Sequence, residues 1–159
     1  PAITLTVTGE GATSRFAELL AGMYEEVLGV RLEIEQVDWA TYLQELNAHK
    51  LQMFTLAWSA DYPDPENFLE TQFHSRSDLN NTGYSNPEVD RLLEQAVAEG
   101  DAAKRLALYR QAEQRIVDDA PWIPLFHGVD YTLVKPYLRG LKVTAQGTYH
   151  LHRVFAATR

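Results

Sequence analysis

The first 58 residues alternate between two hydrophobic periods, and this alternation restricts the fold more than any other feature of the chain. Residues 3–7 and 30–35 carry apolar side chains at every second position, which is typical of half-buried β-strands. Between them, residues 16–28 carry apolar side chains at helical spacing, which predicts one inward-facing stripe. Asp38 marks the N-cap of a second helix, and residues 53–58 form a third apolar run. Two right-handed βαβ units therefore predict an α/β fold with a parallel-rich sheet and flanking helices.

The third predicted strand leads into residues 56–69, which combine prolines, aromatic residues and carboxylates. Pro63 and Pro65 stiffen this loop, because proline fixes its own φ and favours an extended conformation in the residue before it. Asp64 is suited to be an N-cap and Pro65 a first helical residue, so we predict a helix that starts there and runs to Phe73. Ligands of open α/β sheets bind outside the carboxyl ends of the strands, which makes this loop a candidate ligand site.

The second half of the chain predicts two further helices and then short strands. The first of these helices is capped either by a capping box that begins at Ser85 or by Asn86, which a proline follows. Asp101 marks the start of the second helix, and Pro121 prevents its continuation. Short strands are expected over residues 123–126, 131–134 and 149–155, with a loop-like stretch over 135–148.

Composition excludes several classes of function. The chain has 22 acidic and 14 basic residues, and its net charge of −8 opposes binding to nucleic acid or to an anionic membrane. It has no cysteine, hence no disulfide framework and no thiol chemistry. Neither a glycine-rich phosphate loop nor a Gly-x-Ser-x-Gly elbow is present. Because the chain opens at Pro1 without a signal peptide, we expect a mature or excised piece.

Two tryptophans and an aspartate are predicted to share one edge of the sheet. Trp39 follows the second predicted strand, Trp58 ends the third, and Asp61 comes three residues later. Two indoles and a carboxylate can hold a ligand by stacking and by a charge-assisted hydrogen bond. Position alone equally allows both indoles to be core residues and Asp61 to be a loop cap.

The remaining candidates for chemistry have simpler interpretations. Asp64 and Glu66 are better explained as residues of a helix start than as catalytic carboxylates or metal ligands. His150 and His152 have a spacing compatible with metal binding, but no third ligand is near them in the sequence, so a solvated strand face is favoured.

Three motifs in the same order resemble the family 5 extracellular solute-binding proteins, the dipeptide, oligopeptide and nickel receptors of ABC importers. They are Trp-Ser-Ala-Asp-Tyr-Pro-Asp-Pro with Asn-Phe-Leu at residues 58–69, Gly-Tyr-Ser-Asn-Pro-Glu at 83–88, and Ala-Pro-Trp-Ile-Pro-Leu at 120–125. The likeness runs over nearly the whole chain. It implies one lobe of a periplasmic binding protein type II-like clamp, with residues 1–129 as a distal-lobe domain. Residues 130–159 would be the hinge return and a C-terminal segment that joins a first lobe absent from this chain, with the crossover near Val129 and Asp130.

The resemblance also implies a function. It implies a solute-binding component, most simply peptide-binding, that captures ligand in an interlobe cleft and delivers it to a membrane permease. Neither enzymatic activity nor a cofactor is implied, and the location would be periplasmic or extracellular, held at the membrane by the importer or a lipid anchor. The alternative is an α/β protein-interaction domain without a small-molecule ligand. Residues 130–159 are expected to pack back on their own lobe or to exchange with another copy, giving a possible dimer.

The resemblance assigns roles to individual residues. Asp61 matches the aspartate that holds the α-ammonium group of a bound peptide, and the backbone near Trp58 matches backbone that pairs with the extended ligand. Leu46 and Thr55 stand where some oligopeptide receptors carry arginines for a ligand carboxylate, so such a group must be held elsewhere. Gly128 stands where some relatives have a tyrosine. The predicted ligand-binding residues are Trp39, Trp58, Ser59, Asp61, Tyr62 and His127.

Overall fold

The structure, a computed structural model, describes residues 2–129, 131–144 and 146–157. Its elements are β1 (Ala2–Thr8), α1 (Arg15–Leu28), β2 (Arg31–Val37), α2 (Trp39–Asn47), β3 (Met53–Phe54), α3 (Glu66–Phe73), α4 (Pro87–Ala98), α5 (Ala102–Asp119), β4 (Leu138–Arg139), a 3-10 turn (Leu151–Arg153) and β5 (Phe155–Ala156). The chain forms two compact units. Unit one comprises Pro1–Trp58 and Thr71–Ser85, and unit two comprises Ser59–Glu70 and Asn86–Arg159.

The sheet of unit one is parallel throughout, as predicted, with the strand order β2-β1-β3. The strands β1 and β2 pair from Ala2 opposite Arg31 to Thr8 opposite Val37. The third strand is shorter than predicted. It was expected over residues 53–58, but β3 contains only Met53 and Phe54. The carbonyl of Thr55 accepts a hydrogen bond from the Tyr42 hydroxyl at 2.8 Å, so it is engaged by a side chain where a longer strand would continue.

The core of unit one lies between α1 and one face of the sheet. Its buried members are Leu5, Val7, Ala17 and Leu32. The predicted inward-facing stripe of α1 is confirmed at Leu20, which is buried, and at Tyr24, which packs partly buried against the core. Ala17, which the prediction did not include, is also buried in this core. Large apolar side chains at the flank of the helix stay exposed: Phe16, Leu19, Met23, Val27 and Leu28.

The helix α2 begins as predicted, with Asp38 as its N-cap. Oδ1 of Asp38 accepts from the backbone N–H of Ala40 at 2.9 Å and of Thr41 at 3.1 Å. The Thr41 hydroxyl donates to Oδ2 at 2.6 Å. This hydroxyl contact, with the backbone donors, holds the pKa of Asp38 below its usual range. On the inner face of α2, Tyr42 and Leu46 are buried.

The helices of unit two also begin close to where the sequence predicts. The carboxylate of Asp64 accepts from the backbone N–H of Glu66 at 2.9 Å, as expected of an N-cap, and α3 begins at Glu66, one residue later than predicted. Of the two caps considered for α4, the structure has Asn86, whose Oδ1 accepts from the N–H of Glu88 at 2.9 Å. The helix α5 is capped by Asp101. Together α4 and α5 bury Val89, Leu92, Leu93, Ala96, Tyr109, Ala112 and Ile116.

The strands predicted after α5 are wrong in most of their extent. Within the described residues, no strand lies between α5 and β4, and the segments 123–126 and 131–134 have no regular structure. A strand needs a neighbouring strand for its backbone groups, and no strand among the described residues pairs with these segments. In place of a strand over 149–155, a 3-10 turn precedes β5, which pairs antiparallel with β4. Asp130, at the expected crossover, lies outside the described residues.

The pairing of β4 with β5 depends on one glycine. Gly140 has φ +81°, and a Cβ at this position would collide with the backbone carbonyl of Arg153. A residue without a side chain is therefore required where β4 ends. Ala157 extends the pairing by donating its N–H to the carbonyl of Tyr137 at 2.7 Å.

Candidate functional site

The carboxylate of Asp61 is exposed but held by a buried amide. The backbone N–H of Asp61 donates to Oδ1 of Asn67 at 3.0 Å, and Nδ2 of Asn67 donates back to Oδ2 of Asp61 at 3.3 Å. Asn67 is 3% exposed, whereas Asp61 is exposed to solvent. Its second carboxylate oxygen, Oδ1, accepts no hydrogen bond from the described residues. Asp61 thus presents an oriented anionic oxygen that is free to accept from a ligand.

Tyr62, the next residue, is also tied to the first turn of α3. Its hydroxyl donates to Oε2 of Glu66 at 2.7 Å. This hydrogen bond to a carboxylate raises the pKa of Tyr62, because the neutral phenol is the donor, and a hydrogen bond with the Asn67 side chain acts in the opposite direction. The ring itself remains 41% exposed, so the phenol is fixed at one end and open to contact along its face.

An ion pair fastens the same loop to α5. Nη1 and Nη2 of Arg105 donate to the two carboxylate oxygens of Asp64 at 2.7 and 2.8 Å. The guanidinium also lies 4.8 Å from the ring centroid of Tyr109 and donates to the Tyr109 hydroxyl at 3.1 Å. Hydrogen bonding to Arg105 lowers the pKa of Asp64, and burial raises the pKa of Tyr109. A planar bidentate contact of this kind fixes direction as well as distance.

A groove of about 290 Å³ adjoins this ion pair within unit two. Most of its lining side chains are apolar, among them Leu69, Leu106 and Tyr109, and its charged members are Arg110 and Glu113. No serine, cysteine or histidine lines it. The groove therefore offers mainly apolar packing.

In unit one, both predicted tryptophans follow the carboxyl ends of parallel strands. Trp39 is the first residue of α2, two residues beyond the end of β2, and Trp58 lies four residues beyond the end of β3. The indole of Trp39 is 56% exposed and stacks on Tyr42 with ring centroids 5.7 Å apart and an interplanar angle of 13°. Trp58 is half-buried. The exposure of Trp39 excludes the interpretation of this residue as a core tryptophan.

The other two candidates lie in unit two and are exposed. Ser59 is the first residue of the loop that contains Asp61, and His127 lies in the irregular segment that follows α5. His127 makes no hydrogen bond or ion pair with the described part of the chain. Among the described residues of unit two, Asp61 and Tyr62 are therefore the candidates that the structure brings together, through their common contact with α3.

Sequence reasoning missed the residues that support this loop. Asn67 was part of a motif, but its contact with Asp61 has no local signature. Arg105 is 41 residues from Asp64 and lies in an ordinary helical pattern, so nothing in the sequence links the two. The acidity of Asp64 at a helix start predicted its cap and gave no indication of its second partner.

Metal binding and membrane insertion find no support in the described residues. Within residues 2–129, 131–144 and 146–157, no group of three or more His, Cys, Asp or Glu is placed to hold a metal ion. The ring centroids of His150 and His152 are 5.6 Å apart, and Nε2 of His152 accepts a hydrogen bond from Nε of Arg153 at 3.3 Å. The same ranges contain no helix of sufficient length and hydrophobicity to cross a bilayer.

Comparison with known proteins identifies relatives over most of the chain. It is 29% identical over 155 residues to the oligopeptide-binding protein OppA of Bacillus subtilis, and 33% identical over 141 residues to the dipeptide-binding protein DppE of the same organism. These alignments cover 98% and 89% of this chain but 28% and 26% of the relatives. The chain thus spans about a quarter of the length of these curated relatives.

Solved structures of similar proteins have the same fold. The Haemophilus influenzae OppA complex with the peptide RPPGFSPFR matches with a TM-score of 0.81 at 25% identity, covering 99% of this chain and 31% of that one. The unliganded open form of the periplasmic murein tripeptide-binding protein MppA matches with a TM-score of 0.75 at 30% identity, covering 87% of this chain and 27% of that one. The family model described as "Bacterial extracellular solute-binding proteins, family 5 Middle" matches residues 1–80, half of the 159 residues. The chain belongs to this family of bacterial extracellular solute-binding proteins.

Proposed function

We propose that this chain supplies ligand-binding residues to a peptide receptor of an ABC importer. In this proposal the receptor captures peptide in an interlobe cleft outside the cytoplasm, delivers it to a membrane permease, and catalyses no reaction. The observation that carries the proposal is the exposed Asp61 carboxylate, whose orientation is fixed by a buried amide and whose Oδ1 accepts no hydrogen bond from the described residues. The names of the relatives, which are oligopeptide- and dipeptide-binding proteins, support peptide as the ligand.

The role we assign to Asp61 is to anchor the α-ammonium group of the peptide. An ammonium group carries three donors and a full positive charge, and a carboxylate oxygen without a partner is its natural acceptor. The net charge of −8 also favours the approach of cationic solutes over anionic ones. From unit two we propose Ser59, Tyr62 and His127 as further ligand contacts, and from unit one Trp39 and Trp58.

The proposal extends to the organisation of the whole receptor. Residues 1–129 would belong to the distal lobe, and residues 130–159 would join a second lobe. In favour of this, the segment that leaves α5 is rich in apolar residues that the described chain leaves exposed, with Tyr131 at 89% and Leu133 at 100%. Side chains of this kind need cover from another part of a receptor. Attachment at the membrane, through the importer or a lipid anchor, belongs to the same proposal.

The test compares Asp61→Asn with the unchanged full-length protein. The probes are a pool of random tripeptides with free amino termini and the same pool after N-acetylation, with retention measured by native mass spectrometry. We expect the unchanged protein to prefer the free peptides, and Asp61→Asn to lose affinity for them by at least tenfold. Asp61 is exposed in this chain, but in the proposed closed cleft the charge pair would be removed from water, and loss of one partner of such a pair costs about 3–5 kcal/mol. Asp78→Asn, which removes an exposed carboxylate of unit one, is the matched control and should bind as the unchanged protein does.

Each alternative has its own outcome in this experiment. If Asp61→Asn retains each peptide pool as well as the unchanged protein does, Asp61 is a loop cap and not a ligand anchor. Retention of neither pool by the unchanged protein would overturn the receptor proposal and favour a protein-interaction domain. Chemical conversion of the bound peptide would indicate that the protein is an enzyme.

A further inference from the structure

We infer that Asn67 is a positioning residue for the ligand-binding carboxylate of Asp61. This inference rests on the proposed role of Asp61 as the ammonium anchor. Asn67 itself does not need to touch the ligand, because it acts through the residue that does.

The first argument is geometric. Both ends of the Asn67 amide are used on the same residue: Oδ1 accepts from the backbone N–H of Asp61 at 3.0 Å, and Nδ2 donates to its Oδ2 at 3.3 Å. The first contact fixes where the backbone of Asp61 lies, and the second fixes the rotation of its carboxylate. A side chain that makes one of these contacts alone would leave the other degree of freedom open.

The second argument concerns water. Asn67 is 3% exposed, so water competes little for its donor and acceptor, and its hydrogen bonds hold better than those of an exposed amide. It is also the second residue of α3, whose start is capped by Asp64, and Arg105 fastens Asp64 to α5. The two hydrogen bonds that hold Asp61 therefore come from a residue at a fixed helix end.

The third argument concerns charge. A lysine or arginine at position 67 would orient the Asp61 carboxylate equally well but would neutralise it, and a ligand cation would then find no charge to bind. A neutral amide donates one hydrogen bond to Oδ2 and leaves the negative charge in place. Because Oδ1 accepts from none of the described residues, this charge is available in a fixed direction. The arrangement favours a charged ammonium group over the neutral amide that acylation of the amine would produce.

A purely structural role for Asn67 predicts a different result. If Asn67 stabilises the loop only, its loss should weaken binding of every ligand to a similar degree. If it positions Asp61, its loss should reduce the preference for free over acetylated amino termini. The preference ratio is thus the measurement that separates the two roles.

The experiment uses the full-length protein and the two tripeptide pools, free and N-acetylated, with native mass spectrometry as the readout. We expect Asn67→Leu to reduce the preference for free amino termini by about tenfold, the factor that corresponds to loss of one net hydrogen bond to a charged group. If Asn67→Leu does not fold, Asn67→Ala removes the same two contacts with a smaller apolar side chain. The double variant Asp61→Asn/Asn67→Leu should show the same ratio as Asp61→Asn alone.

Asn86→Leu is the matched control. It removes another amide of unit two, one that accepts from the N–H of Glu88 at 2.9 Å and donates to Asp119 at 2.7 Å, so it should lower stability and leave the preference ratio unchanged. An unchanged ratio in Asn67→Leu, or an additive loss in the double variant, overturns the inference. If Asp61→Asn itself leaves the ratio unchanged, the failure belongs to the proposed function and not to Asn67.

Discussion

The ion pair between Asp64 and Arg105 makes a quantitative prediction about the stability of unit two. Asp64→Asn keeps an acceptor for the N–H of Glu66, so the helix cap survives while the charge is lost. Arg105→Met keeps most of the length of the arginine stem and removes its guanidinium. With the double variant, these two substitutions form a thermodynamic cycle that isolates the interaction between the two charges.

The partial burial of Asp64 and Arg105 predicts a coupling energy between that of an exposed ion pair and that of a buried one. Exposed ion pairs contribute about 0.2–1 kcal/mol, and loss of one partner of a buried pair costs about 3–5 kcal/mol. The side chains of Arg105 and Asp64 are 26% and 29% exposed, and two parallel hydrogen bonds of 2.7 and 2.8 Å join them. Hydrogen bonds to charged groups contribute about 1.5–3 kcal/mol, so we expect a coupling of about 2 kcal/mol.

The assay is urea denaturation of the full-length protein and its three variants, followed by circular dichroism at about pH 7. The pair between Arg115 and Glu88 provides a matched cycle in the same unit, because its N–O distance is 3.0 Å and its side chains are 44% and 49% exposed. That pair should couple by less than about 1 kcal/mol. A coupling of Asp64 and Arg105 no larger than that of Arg115 and Glu88 would refute the reasoning that geometry and partial burial make the first pair stronger.

The sign of the pH dependence follows from the lowered pKa of Asp64. The unfolded carboxyl titrates near its ordinary value of 3.8, and the folded one titrates lower because Arg105 stabilises its charge. The contribution of the pair is therefore complete above pH 3.8 and is lost as the pH falls through the depressed folded pKa. The stability difference between the unchanged protein and Asp64→Asn should close over that acidic range, and a constant difference would contradict this assignment.

Two further predictions concern unit one and the C-terminal segment. Tyr42→Phe should lower the free energy of unfolding by about 1–3 kcal/mol, because the part-buried carbonyl of Thr55 loses the 2.8 Å hydrogen bond from the buried tyrosine. Urea denaturation measures this, and a neutral result would mean that water replaces the hydroxyl. This 159-residue chain, prepared alone, should associate through residues 130–159 in light scattering, because Leu133 is 100% and Phe155 60% exposed; a strict monomer would exclude strand exchange between copies.

Local signals in the sequence predicted most helix starts correctly. Asp38, Asn86 and Asp101 all cap helices by accepting from an N–H two or three residues ahead, so the cap and its target lie in one short window. The parallel order of the first three strands followed from their alternation with helices, since short connections leave few other topologies. These features depend on neighbours along the chain, which a sequence displays directly.

Features that depend on distant partners were not predictable in this way. The segments 123–126 and 131–134 have the composition of strands, but strands exist only where another strand accepts their backbone groups, and the described chain supplies none there. The buried face of α1 was predicted correctly at Leu20 and Tyr24 but too widely elsewhere, because apolar spacing does not reveal which apolar side chains another element covers. Arg105 could not be linked to Asp64 across 41 residues, since each fits its own helix without the other.

The loop that carries Asp61 is held by more contacts than a surface loop needs, and this has a consequence for binding. Pro63 and Pro65 restrict its backbone, Asn67 clamps Asp61, and the ion pair of Asp64 fastens it to α5. A flexible carboxylate would lose rotational freedom each time it met an ammonium group, and that loss would be subtracted from the affinity. In the proposed receptor these contacts already fix the carboxylate in the folded chain, so less of the charge attraction would be lost to ordering when the ligand binds. A receptor that anchors one end of the peptide in this way can read the rest through backbone contacts and accept many sequences.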